Sequence, residues 1–362
     1  MACKAFDGQV ARLDSELTEL SKRFVPVRIV RMNDADLNLF QFDYDLTWSA
    51  FFMNADGTIY GRYGTRAARD GMTHISLPSL KKAMKHALEL HTDYPNNRHL
   101  FEGKRGPEPR FKSTREIAPL KKLFESKRHG DPKEQAEGCI HCHEVYEGIR
   151  NVEYAEGTFK QDGIWVHPLP ENVGLVMDVD EGTKVREILP NSFAEKSGLV
   201  SGDVIRTVNG QIILSQADIQ WVLHHLPTPG TLQVEYFRDN KLYLTTFTVD
   251  GNWRKRDISW RGSMWGLHPK LELWAPELSI DEKKALGIAP DRLALKVQYF
   301  GKSLRQAGLR DNDVIVSFDG SERNETSLQL NVRVRLNYKG GTQVPIVVLR
   351  DGNRLDLTIP LE

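Results

Sequence analysis

The segment Gly198-Leu-Val-Ser-Gly-Asp-Val-Ile-Arg-Thr-Val-Asn-Gly210 recurs as Gly308-Leu-Arg-Asp-Asn-Asp-Val-Ile-Val-Ser-Phe-Asp-Gly320, at a constant offset of 110 residues. Six of the thirteen positions are identical. A repeat at a fixed offset indicates two copies of one supersecondary unit. In each copy the pattern predicts a short helix that ends at the first glycine, a buried strand, and a tight turn at Asn209-Gly210 or Asp319-Gly320.

The two copies resemble the PDZ domain as bacteria use it. The resemblance implies two β-rich domains, over residues 166–250 and 251–362, that bind C-terminal peptides of other proteins. Such a peptide adds as a strand to a sheet edge, and a backbone loop holds its carboxylate. The candidate peptide-binding residues are Val173, Gly174, Leu175 and Val176 in the first domain and Trp265, Gly266 and Leu267 in the second. The alternative interpretation is a scaffold whose grooves are degenerate.

Composition limits the remaining possibilities. A chain of 362 residues is long enough for two or three domains with their own cores. Because 49 Lys and Arg balance 49 Asp and Glu, the chain lacks the basic excess expected of a nucleic-acid-binding protein. The longest apolar runs are much too short to cross a bilayer, so no transmembrane segment is expected.

The first 92 residues alternate helix and strand patterns. The β-branched stretch Phe24–Val30 predicts a strand, and the runs 46–53 and 58–63, joined by Asn54-Ala-Asp-Gly57, predict a hairpin. A helix is expected from about Ser79 to His91, with Ser79 as its N-cap. This order is that of a thioredoxin-like α/β domain without its first strand. The whole chain is therefore predicted to be an α+β multidomain protein.

Residues 93–165 are predicted to be a basic linker followed by a short helical segment. Between Arg98 and Lys133, eleven Lys and Arg stand against five Asp and Glu, and four prolines interrupt any long element. The stretch is interpreted as a solvated connector, with a docking surface for an acidic partner as the alternative.

The motif Cys139-Ile140-His141-Cys142-His143 is the sharpest candidate for chemistry. In C-x-x-C-H, two thiols can attach a c-type haem covalently while His143 ligates the iron. The same thiols can instead form a dithiol/disulfide couple at a helix N-terminus. A third possibility is a zinc or copper ion bound by both cysteines and both histidines, with His143 as a metal ligand.

Cys3 is a further candidate, because Cys3-Lys4 opens a helical pattern as the second half of a thioredoxin-type C-x-x-C does. Counting back three residues places the partner cysteine before Met1. No export signal is visible at the start, although haem attachment of the c type occurs outside the bacterial cytoplasm. We therefore expect an upstream strand and export signal that this sequence does not include, and a periplasmic or other extracytoplasmic location.

The arrangement resembles a bacterial family, common in planctomycetes, in which a thioredoxin-like domain precedes PDZ domains and which includes selenoproteins. The stretches that carry the resemblance are residues 1–7, 42–48, 54–64 and 139–143 and the paired PDZ signatures. The resemblance implies that Cys3 is catalytic and that the position three before it is selenocysteine or cysteine. No proline precedes the strand that would face this active site, which departs from the thioredoxin pattern.

Two classes of function compete. The leading hypothesis is an extracytoplasmic redox protein, a thiol-disulfide oxidoreductase or haem electron carrier, in which the PDZ pair recruits a partner. The rival is a non-enzymatic PDZ adaptor with structural or vestigial cysteines. A serine protease is disfavoured, because no Gly-x-Ser-Gly nucleophile loop with matching His and Asp segments precedes the repeats.

Overall fold

The chain folds into two units, Met1–Arg256 and Asp257–Glu362. The computed structural model describes every residue except 1–5, 7, 9, 11–13, 68–70 and 126–137. The domain boundaries expected from the sequence, at 92/93, 165/166 and 250/251, stay predictions. The architecture is mixed α and β.

Within the described residues, the N-terminal part of the first unit contains four helices and one β-hairpin. Its elements are α1 (Ser15–Ser21), β1 (Ala50–Met53), β2 (Ile59–Tyr63), α2 (Leu77–Thr92), α3 (Lys121–Glu125) and α4 (Cys142–Glu156). Strands β1 and β2 pair antiparallel, as the sequence predicted. Helix α2 begins two residues earlier than expected, because Ser76 rather than Ser79 caps it by accepting a hydrogen bond from the backbone N–H of Ser79.

No strand forms at Phe24–Val30, so that prediction was wrong. The segment is extended, but within the described residues no other strand pairs with it. Val25, Val27 and Val30 are between 77% and 90% exposed. β-Branched residues favour a strand only where a neighbouring strand and a packed face are available. The thioredoxin-like domain is therefore not evident as a sheet in the described structure, which has only the β1–β2 hairpin in this region.

The basic stretch after α2 is not a solvated connector. Its described part, residues 93–125, contributes six buried side chains to the first unit: Asn97, Phe101, Lys104, Thr114, Ile117 and Leu120. Ile117 and Leu120 pack under α4, beside Val145. The prolines break this stretch into short 3₁₀ turns rather than into a flexible tether.

The first repeat completes the first unit. Its elements are β3 (Leu175–Met177), β4 (Val185–Ile188), α5 (Phe193–Lys196), β5 (Val204–Val208), β6 (Gln211–Ile212), α6 (Gln216–His225), β7 (Gly230–Arg238) and β8 (Lys241–Val249). Strands β3 and β4 form a two-stranded sheet, and a four-stranded sheet has the order β6-β5-β7-β8. One apolar cluster lies between these sheets and α6.

The second repeat forms the second unit. Its elements are β9 (Leu273–Trp274), α7 (Ile280–Ala285), β10 (Leu295–Lys296), β11 (Tyr299–Phe300), α8 (Lys302–Gln306), β12 (Val314–Phe318), α9 (Ser327–Asn337), β13 (Gln343–Arg350) and β14 (Asn353–Pro360). The strands β12-β13-β14 repeat the order β5-β7-β8, and the pair β9-β11 repeats the pair β3-β4. The fourth strand of the sheet differs, because β10 precedes β12 in the chain whereas β6 follows β5. The same β-bulge recurs between Ile205 and Thr207 and between Ile315 and Ser317, again 110 residues apart.

The repeated aspartate explains much of the sequence identity between the two copies. Asp203 accepts two hydrogen bonds from the Arg238 guanidinium and one from the backbone N–H of Val200. Asp313 accepts the same set from Arg350 and from the N–H of Arg310. In each copy the arginine also donates to the carbonyl of the glycine that ends the short helix. The clasp thus fixes the Gly-Leu turn to the end of the long hairpin.

Replacing Asp313 by alanine is expected to lower the free energy of unfolding of the second unit by about 2–3 kcal/mol. Asp313 is 1% exposed, so its loss leaves the N–H of Arg310 and part of the Arg350 guanidinium without an acceptor. Urea denaturation of the full chain, followed by circular dichroism, measures the change. Asp311→Ala removes an exposed neighbouring carboxylate and should change stability by less than about 0.5 kcal/mol. Equal losses in the two variants would show that the clasp does not stabilise the unit.

Within the described ranges, no helix combines the length and the apolar character needed to span a membrane.

Candidate functional site

The loop before β3 has the geometry expected of the first candidate peptide site. Residues Pro170–Asn172 form a 3₁₀ turn, and Gly174 follows with a φ of 99°. A Cβ atom at Gly174 would lie 2.1 Å from Oγ of Ser192, so only glycine fits. The carbonyl of Gly174 accepts a hydrogen bond from the N–H of Leu189, and that of Val173 from the N–H of Ala194. Two backbone bonds therefore hold the loop in place.

The predicted residues Val173–Val176 thus form the end of this loop and the start of β3. All four are buried, and Val173 and Leu175 belong to the core of the first repeat. Within the described residues β3 pairs with β4 alone, so its other edge carries backbone groups that face no strand. Helix α6 forms the opposite wall, and we call the space between this edge and α6 the first groove.

A segment from the N-terminal part of the chain lies at the first groove. The Gln216 side chain of α6 donates a hydrogen bond to the carbonyl of His74 (2.5 Å), and Oγ of Ser76 donates to the carbonyl of Val179, just beyond β3 (3.0 Å). Nε2 of His74 is 2.9 Å from Oε1 of Glu171 in the loop before β3. The first groove is therefore bridged by the chain itself.

The second repeat places its predicted site residues elsewhere. Trp265 and Gly266 lie in the 3₁₀ turn Gly262–Gly266, and Leu267 is buried, six residues before β9 begins. Glu272 directly precedes β9, and its carbonyl accepts a hydrogen bond from the N–H of Gly301. In the first repeat the carbonyl of Gly174 makes the corresponding bond with Leu189. Glu272 therefore occupies the place that Gly174 has in the first repeat.

The groove of the second repeat is closed by its own helix. Oγ of Ser327, in α9, accepts a hydrogen bond from the N–H of Ala275 (3.3 Å), and the Asn331 amide donates to the carbonyl of Leu273 (3.3 Å). Both side chains are at most 2% exposed. These polar groups satisfy the edge of β9, where a peptide would have to pair.

The Cys139 segment is fixed by one buried asparagine. Oδ1 of Asn33 accepts from the N–H of Ile140 (3.0 Å), and Nδ2 of Asn33 donates to the carbonyl of Gly138 (2.8 Å). The N–H of Met32 also donates to the carbonyl of Ile140. These bonds fix the two residues on either side of Cys139, Gly138 and Ile140, to a segment more than 100 residues away in the sequence.

Cys142 is the first residue of helix α4, and His141 is its N-cap. The carboxylate of Glu144 accepts a hydrogen bond from the N–H of His141, which completes a capping box. Cys139 and Cys142 form no disulfide and are of intermediate exposure, and Cys142 packs against the cluster that contains Tyr44 and Val145. A thiol in the first turn of a helix faces the positive end of the helix dipole, which favours its thiolate form.

His143 is half-buried, and its Nδ1 lies 2.8 Å from Oε1 of Glu147, one helical turn away. This hydrogen bond raises the pKa of His143. No group of three or more His, Cys, Asp or Glu side chains comes together as a metal site in the part of the chain that is described. Cys3 lies outside the described residues.

A buried ion pair, not anticipated from the sequence, joins the N-terminal part to the first repeat. Nζ of Lys104 is 2.6 Å from Oδ1 of Asp218 on α6, and both side chains are at most 1% exposed. Asp218 also accepts hydrogen bonds from the backbone N–H groups of Arg62 and Leu214. The Arg62 guanidinium lies 3.7 Å from the centre of the Trp221 ring, and burial lowers its pKa to about 10.

Comparison with known proteins identifies the first repeat. Residues 171–249 match the family described as the PDZ domain, so the chain contains a PDZ domain. The match begins in the loop before β3 and ends at the last residue of β8.

Several curated relatives are periplasmic proteases of the DegP type. The chain is 27% identical over 184 residues to a probable periplasmic serine endoprotease DegP-like of Marinomonas sp. (strain MWYL1), which is 51% of this chain and 38% of that protein. It is 35% identical over 92 residues to the periplasmic serine endoprotease DegP of Escherichia coli (strain K12), which is 25% of this chain and 19% of that protein. The chain therefore spans less than half the length of these relatives.

Among solved structures, an HtrA-type protease, AlgW, with a decapeptide is similar at 15% identity. The similarity covers 37% of this chain and 49% of that one, with a TM-score of 0.22. These similarities to DegP-type and HtrA-type proteases give no support for the resemblance to thioredoxin-like selenoproteins.

Proposed function

We propose that this chain is an extracytoplasmic adaptor whose PDZ domain binds the C-terminal end of a partner protein in the first groove. The observation that carries the proposal is the loop at Gly174, because a carboxylate-binding loop needs a glycine in this conformation followed by an edge strand. The periplasmic names of the relatives support the location.

The second repeat is assigned a structural role in this proposal. Its loop carries Glu272 in place of glycine, and its edge strand is already bonded to Ser327 and Asn331. Proteolysis is not inferred, because the chain covers only part of its protease relatives and lacks a recognisable nucleophile loop.

Gly174→Ala is expected to weaken the binding of C-terminal peptides at least tenfold. The new Cβ collides with Ser192 and displaces the loop that would bind the carboxylate. Fluorescence anisotropy with labelled peptides measures the affinity, and the same peptides with an amidated terminus test whether the carboxylate is needed. Gly210→Ala is a matched control, since Gly210 has a φ of 75° with open space around it. Equal binding by the two variants, at equal thermal stability, would contradict the proposal.

A second candidate function is thiol-disulfide exchange at Cys139 and Cys142. Both are thiols outside any disulfide, one at a helix N-terminus and one on a backbone segment fixed by Asn33. In the exchange, one thiolate attacks a partner disulfide, and the second then displaces the mixed disulfide, so that the pair is oxidised and the partner reduced. Thiol titration after incubation with a disulfide of stated potential measures it, and Cys142→Ser should abolish formation of the internal disulfide.

The c-type haem predicted from Cys139, Cys142 and His143 belongs to the same site. With Nδ1 of His143 hydrogen-bonded to Glu147, Nε2 is the ring nitrogen that would ligate the haem iron, and Cys139 and Cys142 would hold the haem covalently. A bound haem would supply one-electron transfer. A visible absorbance spectrum and haem stain of protein exported from a host that attaches c-type haem distinguish the haem from the dithiol.

A further inference from the structure

The segment His74–Ser76, which we call the latch segment, contacts the first groove. It runs from a turn at His74 to Ser76, the N-cap of α2. His74 and Ser76 contact the first repeat, whereas Ile75 between them is 4% exposed and packs into the N-terminal core. The latch segment is thus anchored on one side by its own core and faces the first groove with the other.

The latch segment bonds to all three parts of the first groove. It accepts a hydrogen bond from Gln216 on the helix wall, donates one to Val179 at the strand wall, and reaches Glu171 in the loop. A bound peptide would need the same three places, because it lies between the edge strand and the helix with its end at the loop. The geometry points to an internal ligand: we infer that the latch segment occupies the first groove until a peptide with a basic side chain opposite Glu171 displaces it.

The fit of the latch segment is incomplete. Nδ1 of His74, Oε2 of Glu171 and Oε1 of Gln216 are buried and have no hydrogen-bond partner among the described residues. Buried polar atoms without partners are costly, and a ligand that satisfies them gains over one that does not. A peptide that supplies partners for these atoms would therefore compete with the internal contact.

The charge around the first groove indicates the class of ligand. Glu171 lies in the loop, and Asp178, Asp180 and Glu181 follow β3, while Lys82 of α2 pairs with Glu181. Four carboxylates on one rim favour a peptide that carries Lys or Arg near its end and disfavour an acidic one. This inference rests on the proposed function, and it adds the occupant of the free protein and the chemistry of the ligand.

The expected effect follows from competition. When a groove is open for only a fraction of the time, the apparent affinity is reduced by that fraction. His74→Ala removes the contact with Glu171 but leaves the walls and loop intact, so we expect a peptide with a lysine near its C-terminus to bind about tenfold more tightly. His99, an exposed histidine in the same part of the chain, provides the control variant His99→Ala, which should bind as the unchanged protein does.

The experiment compares matched peptides and proteins in one assay. Labelled peptides that share an apolar C-terminal residue and differ only in lysine or glutamate near it are titrated into the full chain, His74→Ala and His99→Ala, with anisotropy as the readout. Hydrogen–deuterium exchange of residues 72–77 is then followed with and without the lysine peptide. We expect faster exchange at the latch segment of the unchanged protein when the peptide is bound.

The outcomes separate the two levels of the hypothesis. Absence of binding by any peptide to any of the three proteins overturns the proposed function and the latch with it. Equal binding to the full chain and His74→Ala, with unchanged exchange at residues 72–77, overturns the latch alone. Equal binding of the lysine and glutamate peptides overturns the assigned ligand class.

Discussion

Replacing Asp218 by leucine is expected to lower the free energy of unfolding of the first unit by about 3–5 kcal/mol. The substitution leaves the Lys104 ammonium, which is 1% exposed, without its carboxylate in an environment that excludes water. It also removes the acceptor of the backbone N–H groups of Arg62 and Leu214. Urea denaturation of the full chain, followed by tryptophan fluorescence, measures the loss.

Three variants show whether the buried charge is the cause. Lys104→Met should cost a similar amount, because it leaves Asp218 buried without its cation. The double variant Lys104→Met with Asp218→Leu should lose less than either single variant, since neither charge remains. Lys85→Met, which removes a half-exposed partner of Glu16, should change stability by less than about 0.5 kcal/mol. A double variant as unstable as the sum of the singles would show that the pair does not act as a unit.

A large loss of stability in Asp218→Leu would show that the PDZ domain and the N-terminal part stabilise each other, because Asp218 belongs to the PDZ domain and Lys104 does not. Burial lowers the pKa of Lys104, and the Asp218 carboxylate beside it opposes that shift. Ile212 and Leu214, also in the PDZ domain, are part of the apolar core of the N-terminal region. The two parts should therefore unfold together, which would keep the latch segment next to the first groove.

The parts of the fold that were predictable depend on local signals. The repeat at an offset of 110 residues predicted both copies of the Gly-Leu turn, and the turns at Asn209 and Asp319 have the positive φ values that this requires. The loop at Gly174 was also predictable as a loop before a strand, because a glycine directly precedes the apolar stretch Leu175–Met177. The second loop was misplaced, since Trp265-Gly266-Leu267 resembles such a stretch but is followed by a turn and not by β9.

The parts that were missed depend on contacts between distant residues. A lysine in a basic run is usually solvated, so nothing in the sequence indicates that Lys104 pairs with a residue 114 positions away. The strand expected at Phe24–Val30 has the right composition, but composition does not supply a neighbouring strand. The latch segment was equally invisible, because His74 and Ser76 acquire their role only by packing against the first groove.

Asn33→Ala is expected to lower the free energy of unfolding of the first unit by about 2–4 kcal/mol and to make Cys139 at least fivefold more reactive toward an alkylating reagent. Asn33 is fully buried, and its loss leaves the N–H of Ile140 and the carbonyl of Gly138 without partners. The segment that carries Cys139 should then detach more often, and exposure governs thiol reactivity together with the thiolate fraction.

Cys142 serves as the internal reference for this measurement. It lies on helix α4, whereas the two hydrogen bonds of the Asn33 side chain hold the residues on either side of Cys139. Alkylation over time, resolved by mass spectrometry of the two sites, should show a rise at Cys139 and a much smaller change at Cys142. Asn38→Ala, which replaces a partly exposed asparagine in the same region, should leave both rates unchanged. If Asn33→Ala destabilises the unit but both thiols react as before, Asn33 supports the fold without setting the accessibility of the thiol centre. A selective rise at Cys139 would instead mean that the chain restrains one thiol of the pair and leaves the other at the helix terminus available for attack, as an exchange centre requires.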